Sequence, residues 1–520
     1  MWNPFRVPAL TIDDLAEAAA TGTVLDVGGE VAASLLVELL SGTRPLRAVR
    51  LRGASITGKL DLDAMTLSCP LSFESCGFDQ AVSLAEAQSR SIRLQGCRVP
   101  LLVATGLRTS GNLELGDLVT TVCVLLAGAH IGGDLDLRGA NLGDTGAGAL
   151  LADGLTVERT LYGSGLVAAG RVSLIGAQVG AQASFDGAKL SNPDGAALSA
   201  SRFVVKQDLY FRDGFSATGV VDLNSVEIGG QLVFRDATIT NPHETALIGE
   251  RLAVGGSLAF AEEFRTDGEI LLLSAQVGGQ LAFQGSSSVP AGETALTLSY
   301  LTAGTLMLTP AQQIRGRVDL VHARVRSFYD ITESWPAEVG LLGFEYESLS
   351  NDTMSVRERL SWLARDHLGY SPAVYDQLAA AYRRIGRVEA ARRVSVAKQW
   401  RRRRVLNPLA KLWNWLLYLT VGYGYRTWLA GLWLVVLVAL GTALFGGALR
   451  GDLRASAPAG PAFQPVGYTL DVLVPIIDLG QKKAWYPQGD AQVWSWLFTG
   501  AGWVLTTAVV AGVTTALKRE

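Results

Sequence analysis

The chain holds four cysteines and four histidines in 520 residues, so thiol, imidazole or metal chemistry has few places to start. Cys76 and Cys97 stand 21 apart, about one coil of the repeat described below, and read as stacked core thiols; Cys69 and Cys123 share no C-x-x-C spacing with another cysteine, and His130, His243, His322 and His367 are scattered. These spacings suggest no zinc set and no cysteine–histidine pair, so no catalytic, metal or cofactor residue is predicted. A G-x-G-x-x-A string occurs at Gly163, Gly165 and Ala168. A dinucleotide fingerprint needs a strand before it and a helix after it. Here the string keeps step with the repeat described below, and its glycines read as turn glycines. Asp61, Glu114, Asp136, Asp222 and Asp319 lie between apolar neighbours and so should point outward. Stacked, they would either bind a cation or a basic partner, or form a solvated face. Asp471 and Asp478 interrupt the apolar stretch Leu470 to Leu479. Seven residues apart, they would share one side of a helix. That stretch is either a re-entrant pore loop, with the two acids as rings of negative charge, or an amphipathic helix resting on a membrane surface.

The elements that position these residues follow from a repeat. Short L-x-L-like units recur at steps close to eleven, as at Leu60, Leu71, Val82 and Ile92, and four longer steps of fifteen begin at Leu135, Ala183, Leu232 and Leu281. Alternation of apolar residues within each unit marks strands. Two units make a coil of about 22 to 24 residues, and the fold expected is a right-handed parallel β-helix, a pentapeptide-like solenoid. Small Ala or Gly residues at the corners account for 58 glycines, about 11% of the chain against roughly 7% in average usage. From Leu60 to Leu320 the repeat gives on the order of eleven coils, a rod of about 50 Å at roughly 4.8 Å per coil. Thr11-x-x-Asp14 resembles a capping box opening a helix over Asp13 to Ala20, and Glu30 to Leu40 reads as a second helix sealing the first coil. Trp335, Phe344 and Tyr346 are expected to cover the last.

Two stretches carry no charge, Thr427 to Leu449 (23 residues) and Val493 to Leu517 (25 residues). Roughly 20 apolar residues span a bilayer, so both read as transmembrane helices. Arg401, Arg402, Arg403, Arg404 and Lys411 precede the first and Lys518 and Arg519 follow the second, which places both flanks in the cytoplasm. Arg383 to Lys411 holds eleven Lys or Arg against one acid, Glu389, although the whole chain carries a net charge of −3. The net charge argues against a general nucleic-acid binder, and the basic run beside a membrane segment points to anionic lipid. The expected division is a helical cap over 1–46, the β-helix over 47–326, a closing cap over 327–353 and a helical linker over 354–406 with one tetratricopeptide-like hairpin (Tyr375, Leu378, Ala379, Tyr382, Ala391). Then follow an interfacial helix over 407–425, the first span over 426–449, an outer loop over 450–492, and the second span with its tail over 493–520.

Coils of the kind Arg52 to Leu62, then Tyr375 to Lys398, VGYGYRTW (Val421 to Trp428) and YTLDVLVPIIDLGQ (Tyr468 to Gln481), resemble the pentapeptide-like repeat membrane proteins of actinobacteria and related bacteria. Many of these carry the label "membrane-associated oxidoreductase". That resemblance implies membrane attachment and, through the label, a redox enzyme, for which the residues themselves offer no cofactor site. The function expected from the residues is a membrane-anchored scaffold or sensor that forms homo-oligomers and binds a protein partner, without evident catalysis. An oligomeric two-span pore is the alternative.

Overall fold

A computed structural model describes residues 11–144, 146–290, 292–350, 354–402, 428–457 and 461–517. The chain divides into two compact units, Met1–Arg387 and Val388–Glu520, each considered by itself.

The first unit is a parallel β-solenoid of about 14 turns followed by helices. The coil that begins at Leu71 shows how the alternation builds it. Its four strands, Leu71–Glu74, Gly77–Phe78, Val82–Ser83 and Gln88–Ser89, lie one to a face. Each pairs in parallel with the coils on either side, Leu71 with Val49 and Ile92, Val82 with Leu60 and Leu102. Strands this short cannot hold a register by backbone pairing alone; the inward side chains set it, because a one-residue slip would turn them all to water. Leu137 and Leu209, read as inward, are fully buried. Along one face Phe185, Phe211, Phe234 and Phe260 stack at 5.5, 4.8 and 5.3 Å between ring centres. Such rings contribute about 0.5–1.5 kcal/mol per pair beyond their buried area.

Between Leu60 and Val318 the ladder takes the eleven steps that the repeat implied. The additional turns lie beyond both expected boundaries. At the start, Glu30–Ala32 is a strand paired with Ser55–Thr57 and not the opening of a helix. At the end, Arg324–Asp330 and Glu345–Leu349 continue the ladder through the segment read as a closing cap. The fifteen-residue steps bulge outward, with register shifts between Ser191 and Ala196 and between Thr240 and Thr245. Each of these two loops is closed by an asparagine, Asn192 to the Ala196 carbonyl and Asn241 to that of Thr245, both at 2.9 Å. At the tightest corners only glycine fits. A Cβ at Gly255 or Gly278 would run into the carbonyl of Gly229 or Gly255, one coil earlier.

A solenoid exposes unpaired strand edges at both ends, and both are covered. At the start, α1 (Ile12–Thr21) opens on the expected capping box, Thr11 and Asp14 each holding the other's backbone N–H. With it, α2 (Ala33–Ser41) buries Leu36, Leu39 and Leu40. At the other end the cover comes from the segment read as a linker. In α3 (Val356–Leu363), Arg359 forms a two-pronged ion pair with Asp330 at 2.7 Å, both side chains only 1% exposed. The indole of Trp335 donates to the same carboxylate at 2.8 Å. In α4 (Pro372–Arg384), Gln377 donates to the Tyr346 carbonyl at 2.6 Å and Arg384 to those of Tyr346 and Glu347 at 3.0 and 3.1 Å, which closes the last strand edge. Trp335, Phe344 and Tyr346 are thus core of the final coils, and the lid is α3 and α4.

The second unit begins with α5 (Val388–Arg402), which carries Arg401 and Arg402 in its last turn. Arg403, Arg404, Lys411 and the expected interfacial helix over 407–425 lie outside the described residues. Next come α6 (Trp428–Gly446), α7 (Pro465–Leu473), the four-residue α8 (Gln481–Ala484) and α9 (Gly489–Leu517), with Leu453–Ala455 pairing antiparallel to Trp485–Pro487. Their core is Phe445, Leu449, Leu453, Tyr468, Val472, Leu473, Ala491 and Phe498. Among the described residues no helix is long and apolar enough to cross a membrane.

The two kinds of interior predict different responses. Leu137→Asp should unfold several coils, since a buried unpaired carboxylate costs several kcal/mol. Arg359→Met should cost about 3–5 kcal/mol by stranding Asp330, whereas replacing both partners with apolar residues should recover most of that loss. Chemical denaturation followed by circular dichroism checks both, and equal costs for the single and double replacements would refute the role given to the ion pair.

Candidate functional site

The outward acids do not form a common row. Glu114 and Asp136 stand on one face and Asp61, Asp222 and Asp319 on another, and each has a local partner. On the first face, charges alternate over the first coils, from Asp26 to Glu114, before Asp136 follows Glu114. Arg52 bridges Asp26 at 3.6 Å and Glu74 at 2.8 Å, and Arg93 bridges Glu74 at 3.6 Å and Glu114 at 2.5 Å. Further along, Arg138 holds Asp136 at 2.6 Å and lies over the ring of Tyr162. Arg212 holds Asp186 at 2.7 Å and lies 3.9 Å from the ring centre of Tyr210. Asp61 pairs with Lys59, Asp222 accepts from Ser201 at 2.7 Å, and Asp319 lies 3.7 Å from His367. Like charges stacked at coil spacing would repel, so opposite charges in neighbouring coils stabilise the stack.

Ionisation follows these contacts. Burial alone would raise the carboxyls of Asp136 and Asp186, but the hydrogen bonds and charge of Arg138 and Arg212 outweigh it and hold both below the usual carboxylate range. Glu74 is lowered chiefly by its hydrogen bond from Arg52.

All four cysteines are buried and free. Cys76 and Cys97 occupy the same corner of adjacent coils, as their spacing implied, each Sγ against backbone carbonyls. The two thiols interact. The contact with Cys76 and burial together push the Cys97 thiol above the ordinary range. The string at Gly163, Gly165 and Ala168 is coil turn: Gly165 has φ +68° and the strand Val167–Ala168 follows, where a dinucleotide site needs a helix. Among the described residues no group of three or more His, Cys, Asp or Glu could hold a metal ion.

In the second unit, Asp471 and Asp478 do not share a helical face, because α7 ends at Leu473. Asp471, 5% exposed, accepts from the backbone N–H groups of Leu479, Gln481 (2.7 Å) and Lys482 (3.1 Å). Asp478 is at the surface, paired with Lys483 and accepting from Gly480 N at 3.1 Å. The first acid thus organises a turn and the second belongs to a surface ion pair. Sequence reasoning missed Arg450, whose guanidinium lies 4.4 Å from the ring centre of Phe463 and 4.5 Å from that of Trp485. It also missed the Asp330–Arg359 pair. Partners 13 to 35 residues apart in irregular segments leave no periodic signal.

The solenoid carries a shallow groove of about 490 Å³ along its fourth face, past Lys206, Glu227, Gln276 and Thr302. A second groove of about 630 Å³ shares Thr302 and runs past Arg324, Glu345 and Arg384. Its charges are mixed, and Arg324 and Glu345 approach to 3.4 Å. The fold and these surfaces define a capped parallel β-solenoid joined to a helical unit. No protein-family model matches the chain, and no curated protein or solved structure matches it either.

The carboxylate contacts fix the sign of the pH response. Carboxyls held below their unfolded values, near 4, stabilise the fold fully above that range and lose this contribution as pH falls through their folded values. Melting temperature should therefore stay level from about pH 7 to 5 and fall below about pH 4, with magnesium or calcium salts having no specific stabilising effect. A rise in melting temperature on acidification would show that the acids repel one another in a stacked row.

Proposed function

We propose that the chain is a bacterial inner-membrane protein whose cytoplasmic solenoid, winding right-handed, presents its side faces to a protein partner, with α6 and α9 as the membrane anchor. The supporting observation is the composition of the two helices' outer faces. On α9 one side packs inward through Ala491, Phe498 and Leu505, while the opposite side exposes Val493, Trp496 (66%), Leu497, Trp503 (60%) and Val504. On α6 the exposed positions are Leu432, Val435 (65%), Val436 and Leu440. A helix that is apolar on every side is stable within hydrocarbon or inside a larger apolar assembly. The uncharged run around α6 extends past both its ends, from Thr427 to Leu449, and that of α9 reaches Leu517; the basic flanks favour a cytoplasmic solenoid, with the basic run against anionic lipid. Membership of the actinobacterial pentapeptide-like repeat membrane proteins is consistent with this reading, and so is a homo-oligomer.

The pore alternative has less support, since Asp471 is committed to three backbone N–H groups and is not available to line a lumen. The redox alternative lacks its dinucleotide geometry at Gly163 to Ala168.

Topology gives the test. A cysteine placed at Ala455, an exposed strand end, should react with an impermeant thiol reagent in intact spheroplasts, and one placed at Ser361, exposed on α3, should not. Labelling at Ser361, or release of the whole protein from membranes by alkaline carbonate, would overturn the proposal.

A further inference from the structure

We propose that the loop Pro475–Leu479 is a lipid-inserting wedge, seated at the headgroup and acyl-chain boundary of the outer leaflet. This rests on the membrane reading above and adds a second mode of contact to it.

The depth of the loop follows from α7. That helix lies in the cleft between α6 and α9, where two glycines admit it: Thr469 packs onto Gly441, and the Leu473 carbonyl comes onto Gly502. Gly502 is thirteen residues past the first residue of α9, roughly 20 Å along its axis, and roughly 23 Å of helix remains to Leu517. If Leu517, just before Lys518 and Arg519, marks the inner edge of a hydrocarbon layer about 30 Å thick, its outer edge falls near Leu497. Trp494 and Trp496 are adjacent, as expected of an interfacial aromatic belt. The turn after Leu473 then sits roughly 7 Å inside the boundary, within the about 5–10 Å typical of interfacial insertion.

The apolar side chains at that depth suit lipid, and Asp478 among them has its charge matched by Lys483. Ile476 is 79% exposed, Leu479 54% and Ile477 39%, and at the same level of α9 Trp503 and Val504 are also exposed. The loop cannot turn these groups inward, because Asp471 binds the backbone of Leu479, Gln481 and Lys482 and so ties the returning stem to α7. Lys482 and Lys483 follow directly, placed to meet lipid phosphate, with Lys483 also paired to Asp478. The occupant is therefore lipid, acyl chain against the isoleucines and phosphate against the lysines.

Fluorophores attached at Ile476→Cys and, separately, at Trp503→Cys in the full chain, reconstituted into anionic liposomes, test this. The four native thiols are buried and leave the new one accessible. The expected result is quenching at both sites by lipids carrying a nitroxide near the glycerol end of the acyl chain, with Asp471→Ala reducing it at 476 alone. Lipid quenching at 503 with aqueous iodide quenching at 476 would overturn the wedge and leave the membrane anchor standing. Lipid quenching at 503 with protection from both quenchers at 476 would mean that a second copy covers the loop, which also overturns the wedge. Absence of lipid quenching at both sites would overturn the anchor and the wedge together.

Discussion

Each coil of the solenoid depends on the next for its hydrogen bonds. Strands of two to four residues form almost no structure alone, and a parallel coil satisfies its backbone only when another lies above it and another below. Everything else in the first unit follows from that dependence. Inward residues must repeat so that one coil's leucine or phenylalanine rests on its neighbour's, as in the run from Phe185 to Phe260. Outward charges of opposite sign can bridge neighbouring coils, as they do from Asp26 to Glu114. The two ends, where a neighbour is missing, must be closed by something that is not a coil.

The closure at the carboxy-terminal end relies on polar groups. Gln377 and Arg384 replace the missing strand for the carbonyls of Tyr346 and Glu347, and Asp330 with Arg359 holds α3 in place at the cost of burying two charges. A buried ion pair adds little net stability against apolar residues of the same volume, yet it tolerates only one geometry. Here it holds α3 against the last coils.

In the second unit, polar groups serve apolar surfaces in another way. Arg450 between Phe463 and Trp485, and Asp471 beneath its turn, hold fixed an assembly whose outer faces are largely Val, Leu, Ile and Trp. Rigid presentation of apolar side chains is useful at a lipid or protein boundary, where a loop that must be ordered on contact would lose part of its binding energy to entropy.

The sequence by itself determined the features that repeat. The strand period, the eleven steps from Leu60 to Val318, the inward set, the loops at the fifteen-residue steps and the adjacency of Cys76 and Cys97 were all legible, because a period written along the chain becomes a stack in space. The capping box at Thr11 and Asp14 was legible for a related reason, being local. What only the tertiary structure decided are the contacts made once. The coil at Glu30–Ala32, the coils past Val325, the lid formed by α3 and α4 and the pairing of Asp330 with Arg359 join residues that have no periodic relation. Asp471 and Asp478 show the same limit. Their seven-residue spacing implies one side of a helix only while the helix lasts, and α7 ends at Leu473, where the chain turns back and its backbone N–H groups take up the first carboxylate.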